Sequence, residues 1–336
     1  MAPQPAFRAT GGRGRSVSRA DIERLCLAVV PGTGAVEIQP LAKGLISDTY
    51  RVVRDGAGYA VKTAAEQGVD LGLDLGWEAQ LLELAASSKL AAPLEYFDPE
   101  RAVLVSRWVA GEAWAREDVR HAANIGAICG LLRRVHSLPA PAPARVMSPS
   151  SWVRLYGAAL SRAGRSVDTG LRTEAASRLL ELSRLPAVAG VVCHSDLHRM
   201  NLLQDGGRLT LLDWEYAHVS DPFWDLAGWA ANNDFDPQAR RELLGNYLGT
   251  APSQAEGLRL SVMMWLYDYV CVLWSELYLN TRAGGAPDIA RRASLLDARL
   301  RLPANYAALE YSRLLDCGGF NGADDCGGSR WQRTRD

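Results

Sequence analysis

The residues with the clearest chemical potential lie in one segment, residues 190–214, with the sequence GVVCHSDLHRMNLLQDGGRLTLLDW. An Asp-Gly-Gly turn separates two apolar runs there, and glycine accepts the positive φ of a tight turn, so the pattern predicts a β-hairpin. The folded hairpin would bring Asp196, Asn201 and Asp213 to one end of a small sheet. A carboxylate in such a place can act as a general base, and carboxylate and amide oxygens are suitable ligands for Mg²⁺.

The spacing of these residues matches the kinase catalytic-loop pattern H-x-D-L-x-x-x-N, which is followed at a strand end by a metal-binding aspartate. In this pattern Asp196 would accept the proton of a substrate hydroxyl, while Asn201 and Asp213 would bind Mg²⁺. Ser195 stands where protein kinases have arginine, Asp-Trp-Glu replaces Asp-Phe-Gly at residues 213–215, and no Ala-Pro-Glu follows. These departures indicate a substrate other than a protein.

The motifs HSDLHRMNLL and LLDWEYAHVSDPFWDLA together resemble the choline/aminoglycoside phosphotransferase family, nearest its choline kinase and thiamine kinase branches. The resemblance covers residues 35–280. It implies that ATP and Mg²⁺ are used to phosphorylate the hydroxyl of a small alcohol. It also implies a two-lobed, protein-kinase-like α+β fold, with an antiparallel sheet in the N-terminal lobe and a larger, mainly helical C-terminal lobe.

Residues 19–107 are predicted to form the N-terminal lobe. A helix at 22–30 and strands at 36–41, 49–53, 59–63, 93–97 and 102–107 are expected from the apolar patterns and turn residues. Lys62, in the segment Tyr-Ala-Val-Lys, occupies the place of the V-A-I-K lysine. Its candidate partner is Glu78 in a helix predicted over 70–88; Glu83 in the same helix stays open as the alternative.

Two further segments of this lobe resemble nucleotide-binding parts of the family. Ser47 and Gly44 lie where a turn covering the phosphates is expected. Residues 107–111, Arg-Trp-Val-Ala-Gly, resemble the hinge E-Y-x-x-G, whose backbone groups would bind adenine at Arg107 and Val109. Arg107 departs from the usual acidic residue, so the resemblance implies this contact without showing it in the side chain.

Residues 108–315 are predicted to form the C-terminal lobe, with helices near 117–137, 152–163 and 171–185. Residues 265–278 include several aromatic and acidic side chains. Such side chains together bind quaternary ammonium groups. The candidate acceptor-site residues are Glu215, Trp265, Asp268 and Trp274. Together with the resemblance, they rank choline first among the acceptors, thiamine second and an aminoglycoside third.

Three alternatives remain beside this interpretation. His194 and His198 are four residues apart, but the zinc motif H-E-x-x-H requires a glutamate and a helix that this loop lacks. Asp225 could brace the catalytic loop, as the resemblance implies, or be an acid favoured at a helix N-terminus. A nucleotide-binding pseudokinase is the non-enzymatic alternative, although Lys62 and the three catalytic-loop residues are all present.

Composition limits the possible partners. The formal net charge is -1, so no general positive field favours nucleic acid or a membrane surface. The N-terminus lacks the apolar core of a signal peptide, and the most apolar run, 262–274, is too short to span a bilayer. We therefore expect a cytoplasmic protein without nucleic-acid or membrane partners. Residues 1–18 and 316–336 are polar and rich in glycine, which predicts disordered tails.

Overall fold

Residues 19–43, 47–64, 72–281 and 286–302 are described by the computed structural model of this chain. The two predicted disordered tails lie outside these residues, as does Gly44. Within the described ranges the chain forms an N-terminal lobe built on a sheet and a larger C-terminal lobe built mainly from helices, as the sequence predicted.

The N-terminal lobe contains the predicted five-stranded sheet. Its strands are β1 Val36–Lys43, β2 Ser47–Arg54, β3 Ala57–Ala64, β4 Leu94–Asp98 and β5 Val103–Arg107. The strand order is β1-β2-β3-β5-β4, and every neighbouring pair is antiparallel. Strands β1, β2 and β3 are two or three residues longer than predicted, because backbone pairing continues beyond the apolar pattern; β4 has the predicted length shifted by one residue, and β5 begins one residue later than predicted.

The two faces of this sheet have different partners, because side chains alternate along each strand. Helix α1, Arg19–Val29, covers one face and forms a hydrophobic cluster with it. The members of this cluster are Ile22, Cys26, Val29, Val30, Tyr50, Val52, Tyr59, Val61, Val103 and Val105. Lys62 and its cross-strand neighbours Thr49 and Leu104 occupy the opposite face, which is turned toward the C-terminal lobe.

Helix α2, Leu75–Ser87, lies on that second side of the sheet. It begins later than the predicted 70–88 because the Asp74 side chain caps it, accepting a hydrogen bond from the Trp77 N–H at 3.0 Å. Residues 70 and 71 of the predicted range lie outside the described residues. The cap places Glu78 in the first turn of the helix.

The C-terminal lobe contains seven helices in the described ranges, together with two small two-stranded sheets. The helices are α3 Ala122–His136, α4 Pro149–Arg162, α5 Thr169–Ser183, α6 Phe223–Asn232, α7 Pro237–Leu248, α8 Gln254–Thr281 and α9 Pro287–Leu300. The short strands are β6 Val191–Cys193, β7 Leu202–Asp205, β8 Arg208–Leu211 and β9 His218–Ser220. Strands β7 and β8 form the predicted hairpin, and β6 pairs with β9.

The single helix predicted over 117–137 is divided. Residues 118–120 form a 3₁₀ turn, His121 is extended, and α3 begins at Ala122. The Asp118 carboxylate accepts a hydrogen bond from the Ala115 N–H, and the Arg120 guanidinium binds the carbonyl oxygens of Asn233 and Asp234. These contacts hold the turn against the end of α6 and prevent a continuous helix.

The segment after β5 is attached directly to the catalytic hairpin. Glu112 and Gln204 exchange two backbone hydrogen bonds, of 2.9 and 2.8 Å. Gly111 has φ +140°, and a Cβ there would lie 2.9 Å from the Gln204 carbonyl oxygen. Only glycine permits this approach, so the connection between the lobes is held close to β7.

None of the helices in the described ranges has the length and apolar character needed to cross a lipid bilayer.

Candidate active site

Lys62 lies at the centre of the site, surrounded by three carboxylates. Its Nζ is 2.8 Å from Glu78 Oε1, 2.9 Å from Asp213 Oδ1 and 2.6 Å from Glu215 Oε2. Burial lowers the pKa of Lys62, but these negative charges outweigh burial and hold the pKa well above its usual value. Burial and the Asp213 charge raise the pKa of Glu215 to about 8. The group therefore joins β3, α2 and the end of the hairpin through one ammonium.

The structure distinguishes the two candidate partners of Lys62. Glu78 is buried and contacts the lysine, whereas Glu83 is exposed on another face of α2. Five residues separate the two glutamates, which is about 1.4 helical turns, so they cannot both face the sheet.

Asp196 and Asn201 lie together in the loop before β7. Asn201 Nδ2 donates to the Asp196 backbone oxygen at 3.0 Å and to its Oδ2 at 3.1 Å. Asn201 Oδ1 is buried and has no hydrogen-bond partner among the described residues. Burial raises the pKa of Asp196, but His198, whose Nε2 lies 3.6 Å from Oδ2, together with His194 and Arg292 outweighs burial and lowers the pKa to about 2. Asp196 is thus an ionised carboxylate beside an amide oxygen that lacks a partner.

Two residues of this region have backbone conformations that are rare outside glycine. Ser195 has φ +66° and Asp213 has φ +58°. Such conformations persist only where surrounding contacts maintain them, and they concentrate at functional sites.

Asp225 holds the backbone of this loop in place. Its two carboxylate oxygens accept hydrogen bonds from the backbone N–H groups of His194 and Ser195, at 2.9 and 2.7 Å. His136 Nε2 lies 3.0 Å from the same carboxylate and Nδ1 lies 2.7 Å from the Tyr247 hydroxyl. Asp225 also lies in the first turn of α6, so it both supports the loop and is an acid at a helix N-terminus.

The structure gives no support to a metal site at His194 and His198. His194 Nε2 is 2.8 Å from the Leu212 carbonyl oxygen, and its ring packs edge-on against Trp214. Within the described residues, the metal-ligating side chains that cluster are His136, Cys193 and Asp225. The Asp225 carboxylate is already engaged by the backbone, and burial raises the pKa of the Cys193 thiol well above its usual value, which disfavours the thiolate.

The hinge residues lie at the end of β5, beside this site. The Arg107 side chain points to the α1 face, where it pairs with Glu95 at 2.7 Å and lies over the Tyr59 ring. The Trp108 N–H donates to the Gly58 carbonyl at 2.9 Å. No acceptor in the described part of the chain binds the Val109 N–H.

Ser47 begins β2 and lies near the lysine group. Its Oγ donates to Glu215 Oε2 at 3.4 Å. The structure therefore brings Ser47, Lys62, Glu78, Asp213 and Glu215 to one place.

Trp274 lies in an aromatic cluster made of Tyr156, Tyr216, Trp274 and Tyr278. The Trp274 indole N–H donates to the Tyr216 hydroxyl at 3.0 Å, and its ring centroid is 5.1 Å from that of Tyr278. Burial raises the pKa of Tyr156 and Tyr216 well above the usual value, and the nearby charges of Glu215 and Asp196 raise both further. The aromatic cluster thus lies within electrostatic reach of the catalytic loop.

Trp265 and Asp268 lie elsewhere, and their interpretation as acceptor-site residues is not supported. The Trp265 indole N–H donates to the Leu300 carbonyl at 3.2 Å, and Asp268 pairs with Arg299. Both line a separate cavity of about 500 Å³ between α5, α8 and α9, and no catalytic-loop residue lines it. Nine residues separate Trp265 from Trp274, about two and a half helical turns, so the two rings lie on opposite sides of α8.

Sequence reasoning missed Tyr156 and Tyr216. Tyr216 directly follows Glu215, which was a usable signal. Tyr156 comes from α4, and nothing in its local pattern connects it with the hairpin. It reaches the site only because α4 packs against α8.

Residues 37–258 match the Phosphotransferase enzyme family. This match covers more than half of the chain.

The chain belongs to this family. The prediction of a small-molecule kinase, a phosphotransferase, is thereby confirmed.

Individual relatives are more distant. The chain is 25% identical to the thiamine kinase of Escherichia coli over 229 residues, which cover 66% of this chain and 75% of that protein. It is 28% identical to Protein LicA of Haemophilus influenzae over 91 residues, which cover 25% of this chain and only 34% of that protein. The matched segment thus spans about a third of LicA.

A solved structure confirms the fold of the family member described here. The choline/ethanolamine kinase family protein from Mesorhizobium loti aligns with a TM-score of 0.67 at 23% identity, covering 88% of this chain and 99% of that chain. The two-lobed, protein-kinase-like architecture predicted from the sequence is therefore correct.

Proposed function

We infer that this protein transfers the γ-phosphate of ATP to the hydroxyl of a small cationic alcohol, with choline as the first candidate. The observation that carries this proposal is the position of the aromatic cluster. Two of its rings, Tyr156 and Tyr216, lie within electrostatic reach of both Glu215 and Asp196, the residue suited to accept the hydroxyl proton.

The transfer would occur in line. Asp196 accepts the proton of the acceptor hydroxyl as its oxygen bonds to the γ-phosphorus, and the bond between that phosphorus and the bridging β,γ-oxygen breaks to release ADP. Lys62, held by Glu78 at 2.8 Å, would orient the α- and β-phosphates. Ser47 would contact the phosphates from β2, and the hinge backbone at Arg107 and Val109 would bind the adenine edge.

The donor set near Asp213 fits Mg²⁺. Asn201 Oδ1 is a buried oxygen without a partner among the described residues, and Asp213 adds a carboxylate. Hard oxygen ligands of this kind are those that Mg²⁺ prefers. We propose that Asn201 and Asp213 hold the ion, which supplies positive charge to the phosphate oxygens.

The acceptor class follows from the chemistry of the aromatic cluster. A quaternary ammonium has no N–H to donate, so ring faces and a nearby carboxylate are the groups that stabilise it, with about 0.5–2 kcal/mol per cation–π contact. Trp274 and Tyr216 are half-buried, so part of each ring is accessible. An aminoglycoside carries several ammonium groups and would require several carboxylates without partners, whereas Glu215 is already paired with Lys62.

Thiamine kinase activity is the second candidate. It is favoured by the 25% identity to the Escherichia coli thiamine kinase over 66% of the chain. The same rings could stack on the flat heterocycles of thiamine. A pseudokinase is disfavoured because the lysine, the base and both metal ligands are present and assembled.

The test is ATP consumption by the wild-type protein with choline, ethanolamine, thiamine, kanamycin and 3,3-dimethylbutanol. The last compound has the shape of choline without its charge. We expect kcat/KM for choline to exceed that for 3,3-dimethylbutanol by roughly tenfold or more. Equal values for the two would contradict a cation site. Mg²⁺-dependent ATP binding without phosphate transfer to any of these compounds would favour a nucleotide-binding pseudokinase.

A further inference from the structure

Arg51 lies on the same face of the N-terminal sheet as Lys62. It is directly opposite Ala60 in the β2–β3 pair, just as Thr49 is opposite Lys62. Residues directly opposite in an antiparallel pair share a face, and residues two apart along a strand do as well. The Arg51 side chain therefore projects toward the cleft between the lobes, one cross-strand pair beyond Lys62 in the direction of the hinge.

The guanidinium of Arg51 lies over the ring of Trp108, the residue that follows β5. Its Cζ lies 4.7 Å from the centroid of the Trp108 ring. A Cβ on Gly58 would lie 2.9 Å from Trp108 Cβ, so the glycine allows the indole to lie against the sheet. The Arg51 Nε is buried, no hydrogen-bond partner for it exists among the described residues, and none of their carboxylates pairs with the guanidinium.

The sheet surface beside this pair is shallow. The cleft face of β3 carries Gly58 and Ala60, and Ser106 of β5 is opposite Ala60. Trp108 lies over Gly58, whereas the small side chains of Ala60 and Ser106, between Trp108 and Lys62, leave room for a flat group to approach the sheet. Trp108 covers one face of the planar guanidinium, and the other face is suited to a second flat, electron-rich partner.

We propose that Arg51 and Trp108 act as one unit that covers the purine of the bound nucleotide, with the Arg51 guanidinium stacked on the base. This inference rests on the proposed use of ATP and adds a base-binding residue that lies outside the catalytic loop and the lysine group. Stacking uses the face of a base and not its edge, so the unit contributes equally to adenine and guanine nucleotides.

The test uses calorimetric binding of ADP, GDP and inorganic tripolyphosphate to the full-length protein without an acceptor. Arg51→Ala should weaken ADP and GDP binding by the same factor, about tenfold, and leave tripolyphosphate binding unchanged. Retained tripolyphosphate binding also shows that the variant is folded. Arg51→Lys keeps the charge but loses the plane, so its loss should approach that of alanine. Arg24→Ala is the control. Arg24 lies on α1, at the opposite face of the same sheet, and the variant should bind all three compounds as wild type does.

The steady-state and double-mutant measurements separate this role from a structural one. In Arg51→Ala, KM for ATP should rise about tenfold while kcat changes little, and Trp108→Ala should add less in the Arg51→Ala background than in wild type. ADP binding equal to wild type, loss of tripolyphosphate binding, loss for only one base, or additive effects of the two substitutions would each overturn the proposal. Wild-type protein that binds no nucleotide would contradict the proposed function itself, whereas normal wild-type binding with an unaffected variant would contradict only the role of Arg51.

Discussion

At the scale of single residues, Asp196 is held in an environment that keeps its carboxylate ionised. Its pKa falls to about 2, because His198, His194 and Arg292 together outweigh the effect of burial. A base of this kind is weak, as expected where a loose transition state needs the hydroxyl oriented more than it needs a strong proton acceptor. The contact with Asn201 fixes the position of the carboxylate.

The substitution Asp196→Asn is therefore expected to remove turnover and spare binding. We expect kcat to fall by roughly 10²–10⁴-fold, the usual contribution of a general base, with ADP affinity close to that of wild type. Steady-state kinetics and calorimetry measure the two quantities. Asp205→Asn, an exposed acid in the turn of the same hairpin, is the control and should retain full activity. A kcat near wild type in Asp196→Asn would remove this residue from the mechanism.

Residue identity at the catalytic loop could be predicted because the information is local. Six consecutive positions fix the spacing of Asp196 and Asn201, and a short hairpin brings Asp213 back to them. The lysine partner could not be settled in this way. Glu78 and Glu83 lie in one helix of mixed pattern, and only the packing of α2 against β4 and β5, which brings Glu78 to Lys62, selects between them.

At the scale of elements, α8 is the helix whose faces matter most for the acceptor. It is 28 residues long, and its buried residues surround it on all sides, since α4, α5, α6 and α9 all pack against it. A helix that is apolar all round has no pattern that distinguishes one face from another. The sequence pattern of α8 therefore does not separate Trp265 and Asp268 from Trp274, although they lie on a different side of the helix.

The two tryptophans of α8 provide a matched pair of substitutions. Trp274→Ala should raise KM for the acceptor by roughly tenfold and leave KM for ATP unchanged, because it removes a ring face beside Tyr216. Trp265→Ala should leave both KM values unchanged and lower only the free energy of unfolding, because its ring packs on Tyr269 and α9. Acceptor kinetics with choline or thiamine, whichever is turned over, measure the difference. An equal rise of KM in both variants would indicate a general disturbance of α8.

Asp225 joins a helix to the catalytic loop and should be a major source of local stability. Asp225→Ala leaves the buried N–H groups of His194 and Ser195 without acceptors, at about 1–3 kcal/mol for each. We expect the free energy of unfolding in urea to fall by roughly 2–5 kcal/mol. Asp225→Asn keeps one acceptor oxygen and should lose less. A loss below about 0.5 kcal/mol in Asp225→Ala would mean that the loop is held by other contacts.

At the scale of the whole molecule, His218 should make stability depend on pH. Its ring lies edge-on to Trp152, with Nδ1 2.6 Å from the Tyr216 carbonyl oxygen. Its pKa is lowered from 6.5 to about 4. Burial is the main cause and the Arg145 charge adds to it, while the Tyr216 and Gly72 carbonyls and the Asp74 charge act in the opposite direction. Between these pH values the unfolded chain binds a proton that the folded chain does not.

The free energy of unfolding should therefore decrease as pH falls from about 6.5 to about 4, by up to roughly 3 kcal/mol from this group. Urea unfolding at pH 7, 6 and 5, followed by tryptophan fluorescence, measures the slope. His218→Gln should flatten the profile in this window relative to wild type. Parallel profiles for the two proteins would exclude His218 as the source.

The overall architecture could be predicted further than the acceptor site. Each strand of the N-terminal sheet has its own alternating pattern, and the turns between strands are short, so the sheet follows from local signals. The aromatic cluster combines α4, α8 and the segment after β8, which are far apart in the chain. Contacts of that kind depend on how helices pack, and single-sequence patterns contain little of that information.

Helix α1 lies outside the segment that matches the family, yet it completes the hydrophobic cluster of the N-terminal lobe. Arg54 of β2 binds the Leu27 and Val30 carbonyl oxygens and so ties the end of α1 to the sheet. A chain that begins at residue 37 would expose the apolar face of β2, β3 and β5 to water. Such a chain should self-associate, which light scattering would detect against a chain that starts at residue 19. Anyone expressing the protein in shortened form should therefore cut before α1, because the boundary of the family is not the boundary of the folded lobe.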